Sequence, residues 1–329
     1  MRVTRLAPSP TGALHLGNAR TFLVNWLLAR QQGWRVTLRV EDLDGPRIKA
    51  GSDRQAIQDL RWLGLDWDDG PVYQSSRMRS YERAVQTLVA GGTAYPCVCS
   101  RKEVEAAASA PHAEDGATIY PGTCRGRFRS IEDARQQSGR EPALRFAVPQ
   151  GDESVITFED QFSGPRRFDV ARELGDFVVA KALEPGGRGS ADSDRTPAYQ
   201  LAVVVDDAQM GVTDVVRGDD LADSTPRQML LYRALGIADR LPQYCHLPLV
   251  IGADGRRLAK RHGDTRLSFY REQGVLPGRV LSLLARWCGF GQDVQPRTAA
   301  DLLAPFRLQD LPRGPITFTP EDDAWLRAV

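Results

Sequence analysis

The sequence predicts an α/β fold with a Rossmann-type parallel sheet, an inserted subdomain and a C-terminal helical region. Three observations predict it. Segments typical of strands and of amphipathic helices alternate over residues 1–90, a cysteine-bearing stretch with a different pattern follows, and apolar segments return near residue 176. At 329 residues, the chain is long enough for more than one structural unit.

The first part of the chain alternates between strands and helices. The predicted strands are 2–6 and 35–40, and the predicted helices are 14–30, 53–63 and 81–90. Ser52 is a suitable N-cap for the second helix. Because strands joined through a helix pair in parallel, a ligand is expected at their carboxyl ends, where the turn at Pro8 and the side chain of Glu41 lie.

The middle of the chain is predicted to interrupt this sheet. Short strands are expected at 144–148, 155–158 and 167–170. The parallel sheet is expected to resume at 177–180 and 201–205, and the second segment is uniformly apolar, as a central strand requires. A helix is expected at 223–235, and a mobile loop over the small and polar residues 184–195.

These elements suggest four parts. They are the first half of the Rossmann catalytic domain (1–94), the inserted subdomain (95–172), the second half of the Rossmann domain (173–245), and a region with a basic loop and helices (246–329).

Composition limits the classes of function. The 43 Lys and Arg residues nearly balance the 42 Asp and Glu residues, so bulk charge does not indicate a nucleic-acid partner. No apolar stretch approaches the roughly 18 residues of a membrane helix, and five cysteines are too few for a disulfide scaffold. Cys245 and Cys288 are expected to be buried like small apolar side chains. We expect a cytoplasmic monomer with no membrane association.

The most informative motif is Arg5-Leu-Ala-Pro-Ser-Pro-Thr-Gly-Ala-Leu-His15-Leu-Gly17-Asn18. A short strand enters it, a Pro/Gly turn follows, and a His-x-Gly pair opens a helix. This arrangement directs an imidazole and free backbone N–H groups at an anion such as a nucleotide triphosphate. Gly17 would allow the nucleotide to approach the backbone.

A second motif is the basic segment Gly255-Arg-Arg257-Leu-Ala-Lys260-Arg261-His-Gly-Asp264. Four basic side chains lie within six residues. Taken alone, the segment is a solvated basic loop or a contact for nucleic acid. Beside the first motif, it is better interpreted as a loop that closes over phosphates.

A cysteine cluster suggests a metal site. Cys97, Cys99 and Cys124 offer three thiolates, which bind zinc well, and a structural zinc site has four ligands. From chemistry alone, His112 is the first choice for the fourth ligand. The alternative is three reduced cysteines without a metal.

The first motif resembles that of the class I aminoacyl-tRNA synthetases, and Arg-x-Ala-Pro-Ser-Pro-Thr-Gly is the glutamyl form of it. The resemblance implies an enzyme that activates glutamate with ATP, accompanied by Mg²⁺. It implies catalytic and ATP-binding roles for His15, Gly17 and Lys260, and an ATP-binding role for Asn18. Lys260 matches the second lysine of the mobile loop of this family, whereas Arg257 and Ala259 replace its usual lysine and serine.

The resemblance also implies a glutamate site at the strand ends. It assigns Arg5 and Tyr199 to the side-chain carboxylate, Arg217 to the other carboxylate and Glu41 to the amine, a charge pattern complementary to glutamate. The remaining residues implied at this site are Leu6, Ala7, Pro8 and Ser9.

For the metal, the resemblance implies Tyr120 rather than His112 as the fourth ligand. With Cys97, Cys99 and Cys124, the tyrosine would complete one structural Zn²⁺ site, with no position left for water.

The chain resembles a shortened branch of the family, the glutamyl-Q tRNA(Asp) synthetases. It ends at Val329, soon after the basic segment, and Val203 stands where longer glutamyl enzymes tend to have a polar residue. The implied reaction transfers glutamate to the cyclopentenediol of queuosine at the wobble position of tRNA(Asp). The alternatives are a fragment of an ordinary glutamyl-tRNA synthetase that charges tRNA(Glu), another His-x-Gly nucleotidyltransferase, and a catalytically silent RNA- or zinc-binding module.

Overall fold

The computed structural model describes residues 1–107, 119–183, 195–256, 258, 263–291 and 294–328. The strands are β1 (Val3–Leu6), β2 (Arg35–Val40), β3 (Asp69–Tyr73), β4 (Ala94–Cys97), β5 (Ala143–Phe146), β6 (Val155–Asp160), β7 (Gly164–Asp169), β8 (Phe177–Ala180), β9 (Asp214–Gly218), β10 (Gln243–Leu247), β11 (Val250–Ile251) and β12 (Ile316–Thr317). The helices are α1 (Leu16–Gln31), α2 (Ser52–Trp62), α3 (Met78–Ala90), α4 (Arg101–Ala107), α5 (Ile131–Ser138), α6 (Val170–Glu173), α7 (Tyr199–Gln209), α8 (Ser224–Ala234), α9 (Leu267–Glu272), α10 (Pro277–Trp287) and α11 (Pro320–Arg327).

The predicted parallel sheet is confirmed. Strands β1, β2 and β3 pair in parallel, as do β9 and β10, and β1 lies beside β9, where the backbone N–H of Thr213 donates to the carbonyl of Val3 at 2.9 Å. The resulting order β3-β2-β1-β9-β10 is that of a doubly wound fold, in which the strand order reverses between β1 and β9. A ligand crevice is expected at that reversal.

One predicted strand is wrong. Residues 201–205 lie in helix α7, in which eight of the eleven residues are buried. A short apolar run that is buried on all sides has the same composition in a strand and in a core helix, so its β-branched residues do not decide between them.

A second correction concerns β8, which was expected in the parallel sheet. It pairs antiparallel to β5 in a separate sheet with the order β4-β5-β8. Conversely, the hairpin β6–β7 extends the parallel sheet, because β6 pairs in parallel with β10. The division into four parts at 94, 172 and 245 stays a prediction, and this pairing shows that the sheet itself runs across those bounds.

The C-terminal part contains α9, α10 and α11, in agreement with the predicted helical region. It is attached to the rest of the fold by the pairing of β11 with β12 and by packing of α10 on α1. Cys245 and Cys288 are both buried in the core, as expected. Among the described residues, no helix is long and apolar enough to cross a bilayer. The predicted loop at 184–195 lies outside the described residues except for Arg195.

Candidate active site

A cavity of about 680 Å³ opens at the carboxyl ends of β1, β2 and β9. Residues from seven separate segments line it, among them Arg5, His15, Glu41, Tyr199 and Arg217. The other predicted site residues in its lining are Ala7, Pro8, Ser9, Gly17 and Asn18. The structure therefore brings most of the predicted glutamate and ATP residues together. Among those that the structure describes, Leu6 is the exception, since it is fully buried in β1 and is not part of the lining.

The His15 side chain caps the helix that the first motif opens. Its Nδ1 accepts hydrogen bonds from the backbone N–H groups of Gly17 at 3.1 Å and Asn18 at 3.3 Å, and the Asn18 side chain accepts from the His15 backbone at 3.2 Å. These two N–H groups are therefore used by the imidazole, whereas the sequence suggested that they were free. Because Nδ1 accepts, the proton of the neutral ring lies on Nε2, which leaves Nε2–H as the ring donor.

Gly17 is required by its close neighbours. A Cβ at this position would lie 3.0 Å from the His15 ring and 3.4 Å from Val250. Any larger residue would press on the imidazole that caps the helix.

Two backbone hydrogen bonds attach the basic segment beside this motif. Within the segment, the N–H of Leu258 donates to the carbonyl of Val250 at 3.4 Å, and directly after it, the carbonyl of Thr265 accepts from the N–H of Leu16 at 3.0 Å. Residues 257 and 259–262, and with them Arg257, Ala259, Lys260 and Arg261, lie outside the described residues.

One side of the cavity is built on a buried network of ion pairs. Arg39 Nη1 lies 2.5 Å from Asp207 Oδ1, Arg39 Nη2 lies 3.0 Å from Glu41 Oε1, and Arg39 Nε lies 3.9 Å from Asp206 Oδ2. Asp207 also pairs with Arg5 at 3.5 Å. We call these five residues the ion-pair wall. The network connects two predicted glutamate-binding groups, Arg5 and Glu41, through two buried side chains.

A second group of residues at the cavity holds its arginine differently. Arg217 donates from Nε to His246 Nε2 at 3.0 Å, from Nη1 to Gln228 Oε1 at 3.1 Å and from Nη2 to Thr225 Oγ1 at 2.8 Å. We call these four residues the neutral wall. Arg217 is only 4% exposed, and it forms no ion pair with any residue that the structure describes.

Protonation follows from these surroundings. Burial raises the pKa of Glu41 above its ordinary value, against the lowering effect of the Arg39 and Arg5 charges. Desolvation also raises the pKa of Tyr199, so its phenol keeps the proton and can donate to a carboxylate. Burial lowers the pKa of His246, and the Arg217 charge acts in the same direction, so this imidazole is neutral near pH 7.

The predicted metal residues also come together, outside the main cavity. The Sγ atoms of Cys97, Cys99 and Cys124 lie within 4.8 Å of one another, and the closest pair, Cys99 and Cys124, is 3.5 Å apart. Tyr120 OH lies 3.4 Å from the sulfur of Cys97 and 3.6 Å from that of Cys99. Ligands around a tetrahedral zinc ion are separated by roughly 3.5–3.8 Å, given Zn–S bonds of about 2.3 Å, so these four residues fit the ion.

The surroundings of the cluster act on its thiols in two opposite directions. Arg145 donates from Nε to Cys97 Sγ at 3.2 Å and stacks on the ring of Tyr120 at 3.9 Å. Burial raises the pKa of Cys99 to about 11, and a bound cation would lower it again because thiolate is the ligating form. His112, the alternative fourth ligand, lies outside the described residues.

Comparison with known families agrees with this geometry. The model of the family described as tRNA synthetases class I (E and Q), catalytic domain, matches residues 2–298. The chain belongs to this family. It is a ligase of the class I aminoacyl-tRNA synthetase type, in the glutamate branch of that family.

Some proteins similar to this class I synthetase are covered by it almost completely, and others are longer. A glutamyl-Q tRNA(Asp) synthetase from Symbiobacterium thermophilum is 48% identical, over 98% of this chain and 97% of its own. A second protein of that name, from Rhodopirellula baltica, is 47% identical over 88% of this chain and 86% of its own. A glutamate–tRNA ligase from Citrifermentans bemidjiense is 41% identical over 98% of this chain, which covers 65% of that ligase.

Solved structures show the same fold. A glutamate tRNA ligase from Elizabethkingia meningosepticum, crystallised in complex with its amino acid, superimposes with a TM-score of 0.77 at 26% identity. The match covers 99% of this chain and 68% of that one.

The buried residues that hold the side chains of this class I site in place were not identified from the sequence. Arg39 stands inside a predicted strand, Asp207 two residues after a segment taken for another strand, and His246 in a strand that was not predicted. The sequence did contain a pattern that could have identified Arg39. The pair Asp206-Asp207 at the end of an apolar run requires buried cations, and Arg39 is the arginine that lies between apolar residues in strand β2, whereas Arg35 stands at its start.

Proposed function

We propose that this synthetase activates L-glutamate with ATP and transfers it to the cyclopentenediol of queuosine at the wobble position of tRNA(Asp). The observation that carries the glutamate part is the single cavity that contains Arg5, Arg217 and Glu41. Two cations and one anion complement the two carboxylates and the ammonium group of glutamate. The names of similar relatives support the acceptor, because a glutamyl-Q tRNA(Asp) synthetase is 48% identical to this chain and a glutamate–tRNA ligase is 41% identical.

In the first step, an α-carboxylate oxygen of glutamate attacks the α-phosphorus of ATP, and pyrophosphate leaves. The His15 ring donates from Nε2–H to a phosphate oxygen as negative charge develops there. Lys260 would pair with the leaving pyrophosphate, and Mg²⁺ on the triphosphate would neutralise part of its charge. Arg217, Arg5 and Tyr199 hold the two carboxylates.

In the second step, a queuosine hydroxyl attacks the carbonyl carbon of the glutamyl-adenylate, AMP leaves, and the hydroxyl proton is lost. Glutamine would be rejected in the first step, because its neutral amide brings no negative charge to the buried guanidinium of Arg5. We assign no general base to the transfer, which relies on positioning of the hydroxyl.

We also propose one structural Zn²⁺ held by Cys97, Cys99, Tyr120 and Cys124. The separations among these four side chains support the proposal. All four ligands would come from the protein, so the ion would stabilise the fold and would not activate water. The cytoplasmic location and the monomeric state stay predictions, and light scattering of the purified protein would test the second.

Pyrophosphate exchange tests the proposed activation. Exchange with ATP and glutamate in the absence of tRNA is expected, and charging of tRNA(Asp) should require queuosine. Exchange that depends on tRNA(Glu) would instead indicate an ordinary glutamyl-tRNA synthetase. No exchange under either condition would indicate a silent RNA- or zinc-binding module.

The role of Lys260 has its own test. Lys260→Ala should depress kcat for exchange by roughly 100-fold, as expected for loss of one preorganised donor to the transition state. Glutamate binding measured by calorimetry should be unchanged. Full exchange activity in this variant would show that the Lys260 side chain has no role in glutamate activation.

A further inference from the structure

The neutral wall fixes the Arg217 side chain with a specific set of acceptors. A guanidinium has five N–H groups, and three of those of Arg217 are used by His246, Gln228 and Thr225. The two that remain match the number of bonds in a bidentate contact with one carboxylate. The neutral wall therefore determines which N–H groups of the Arg217 guanidinium a substrate can reach.

The bond to His246 fixes the tautomer of that imidazole. Arg217 Nε–H can only donate, so His246 Nε2 carries no proton and accepts it at 3.0 Å. The proton of the neutral ring then lies on Nδ1, which is 2.6 Å from Asp160 Oδ2. The Thr225 hydroxyl, which accepts from Arg217, also lies 3.2 Å from Nε2.

Asp160 is itself held by the backbone. Its carboxylate accepts from the N–H groups of Phe162 at 3.0 Å, Ser163 at 2.8 Å and His246 at 3.0 Å. Burial raises the pKa of Asp160, but the hydrogen bonds from His246 and Ser163 outweigh it, so the net pKa is below the ordinary value. Asp160 and His246 are at most 2% exposed. The turn between β6 and β7 therefore fixes the carboxylate, which in turn fixes the imidazole.

We propose that His246 is a positioning residue for amino-acid recognition: held by Asp160 as the Nδ1–H tautomer, it accepts the Nε–H of Arg217 and directs the guanidinium to a substrate carboxylate. The inference rests on the proposed function, because it takes Arg217 to be a glutamate-binding residue. His246 itself does not line the cavity and touches no substrate.

The proposal has a consequence for pH. Protonation of His246 would put a proton on Nε2, opposite the Nε–H of Arg217, so that the acceptor is lost and two cations lie 3.0 Å apart. The charged and titratable groups that act on His246 are Asp160 from β6, Arg217 from β9, Asp219 from the turn after β9, and Tyr244 stacked on it from β10. Glutamate affinity should therefore fall in acid, below the ordinary pKa of histidine.

Two substitutions separate the two functions of the ring. In His246→Asn, the amide lies near the position of Nδ1 and can still donate to Asp160, but the acceptor for Arg217 is lost. In His246→Gln, the amide reaches the position of Nε2 and can accept from Arg217, but it cannot also reach Asp160. Steady-state pyrophosphate exchange then gives KM for glutamate, KM for ATP and kcat for each protein.

The Asn variant should raise KM for glutamate by about tenfold or more, as expected for loss of a buried hydrogen bond to a charged group. KM for ATP should not change. The Gln variant should stay close to the wild type at pH 7.5, and the ratio of the wild-type KM to that of the Gln variant should rise as the pH is lowered to 5, since only the wild type loses its acceptor.

Equal KM values for the two variants at pH 7.5, with a ratio that is constant down to pH 5, would overturn the positioning role. Thermal denaturation establishes that each variant is folded, and if the Asn variant melts below the assay temperature, the pH profile of the Gln variant decides alone. A wild-type protein that neither exchanges pyrophosphate nor binds glutamate in a calorimeter would instead contradict the proposed function.

Discussion

The two walls of the cavity hold buried arginines in opposite ways. On the ion-pair wall, Arg39 is surrounded by Asp206, Asp207 and Glu41, and its charge is balanced before any ligand arrives. On the neutral wall, Arg217 has only uncharged hydrogen-bond partners among the described residues. A buried cation without a counter-ion is costly, so Arg217 is the group that gains most from an anionic substrate.

The difference separates residues that stabilise the fold from residues that bind the substrate. Removal of Arg39 leaves buried carboxylates without their cation, which is a defect of the folded protein itself. Removal of Arg217 leaves only neutral acceptors unpaired, and the missing charge matters when a carboxylate is bound. The comparison therefore predicts opposite readouts for the same substitution at the two positions.

The largest expected effect is on the stability of the Arg39→Met variant. Breaking a buried ion pair by removing one partner costs about 3–5 kcal/mol, so the free energy of unfolding in urea should fall by that amount. Arg35→Met on the same strand is the matched control, because Arg35 pairs with Asp69 at the surface and should cost less than about 1 kcal/mol. Equal losses in the two variants would show that the ion-pair wall contributes no more than a surface pair.

The Arg217→Met variant should show the reverse pattern. Truncating one member of a buried charged contact costs about 2–5 kcal/mol in binding, so kcat/KM for glutamate should fall by about 100-fold or more. Its unfolding free energy should change by only about 1 kcal/mol, since no anion is left unpaired. Arg217→Lys keeps the charge without the planar fork and should recover only part of the activity. A large loss of stability in Arg217→Met would contradict the distinction between the walls.

The sequence predicted one wall of the cavity better than the other. Arg5, His15 and Glu41 stand in or beside a recognisable motif or at the end of a clear strand, so their common location follows from the rules of a parallel sheet. The partners of Arg217 come from β10 and α8, and β10 was not predicted because Gln243–Leu247 is short and mixes polar with apolar residues. Long-range pairs such as Asp160 with His246 depend on strand order, which local patterns do not contain.

The failure at residues 201–205 has a related cause. Helix α7 is buried between α3 and α8, so it lacks the polar face that usually distinguishes a helix. Asp206 and Asp207 then continue the helix into the ion-pair wall. Because the segment was predicted as a strand, the ion pairs of its two following carboxylates with Arg39 were not predicted either.

The cysteine cluster provides a third region that should affect stability alone. Cys124→Ser removes one proposed zinc ligand, and Tm should fall by about 2–4 °C for each kcal/mol of stability lost. KM for glutamate should not change, because the cluster does not line the cavity. A zinc chelator should lower the Tm of the wild type to that of the variant and leave the variant unaffected. Unchanged melting with chelator, together with no zinc by elemental analysis, would contradict the proposed ion.

The smallest expected effect is a release of protons from Glu41 of the ion-pair wall. Burial raises the pKa of Glu41, so in moderately acidic solution a fraction of this carboxyl is protonated in the free enzyme. The ammonium group of glutamate stabilises the carboxylate and lowers that pKa, so binding should release part of one proton in acidic solution and less as the pH rises. Calorimetry in buffers of different ionisation enthalpy measures the number released.

Glutarate is the matched ligand for this measurement, because it has both carboxylates and lacks the ammonium group. Its binding should release fewer protons than that of glutamate, and Glu41→Gln should reduce the glutamate value to the glutarate value. Equal proton release by the two ligands in the wild type would show that the ammonium group of glutamate does not interact with Glu41. Release that persists in Glu41→Gln would have to come from another group, and His246 on the neutral wall would then be the first to test, since burial lowers its pKa and sets its titration in acid.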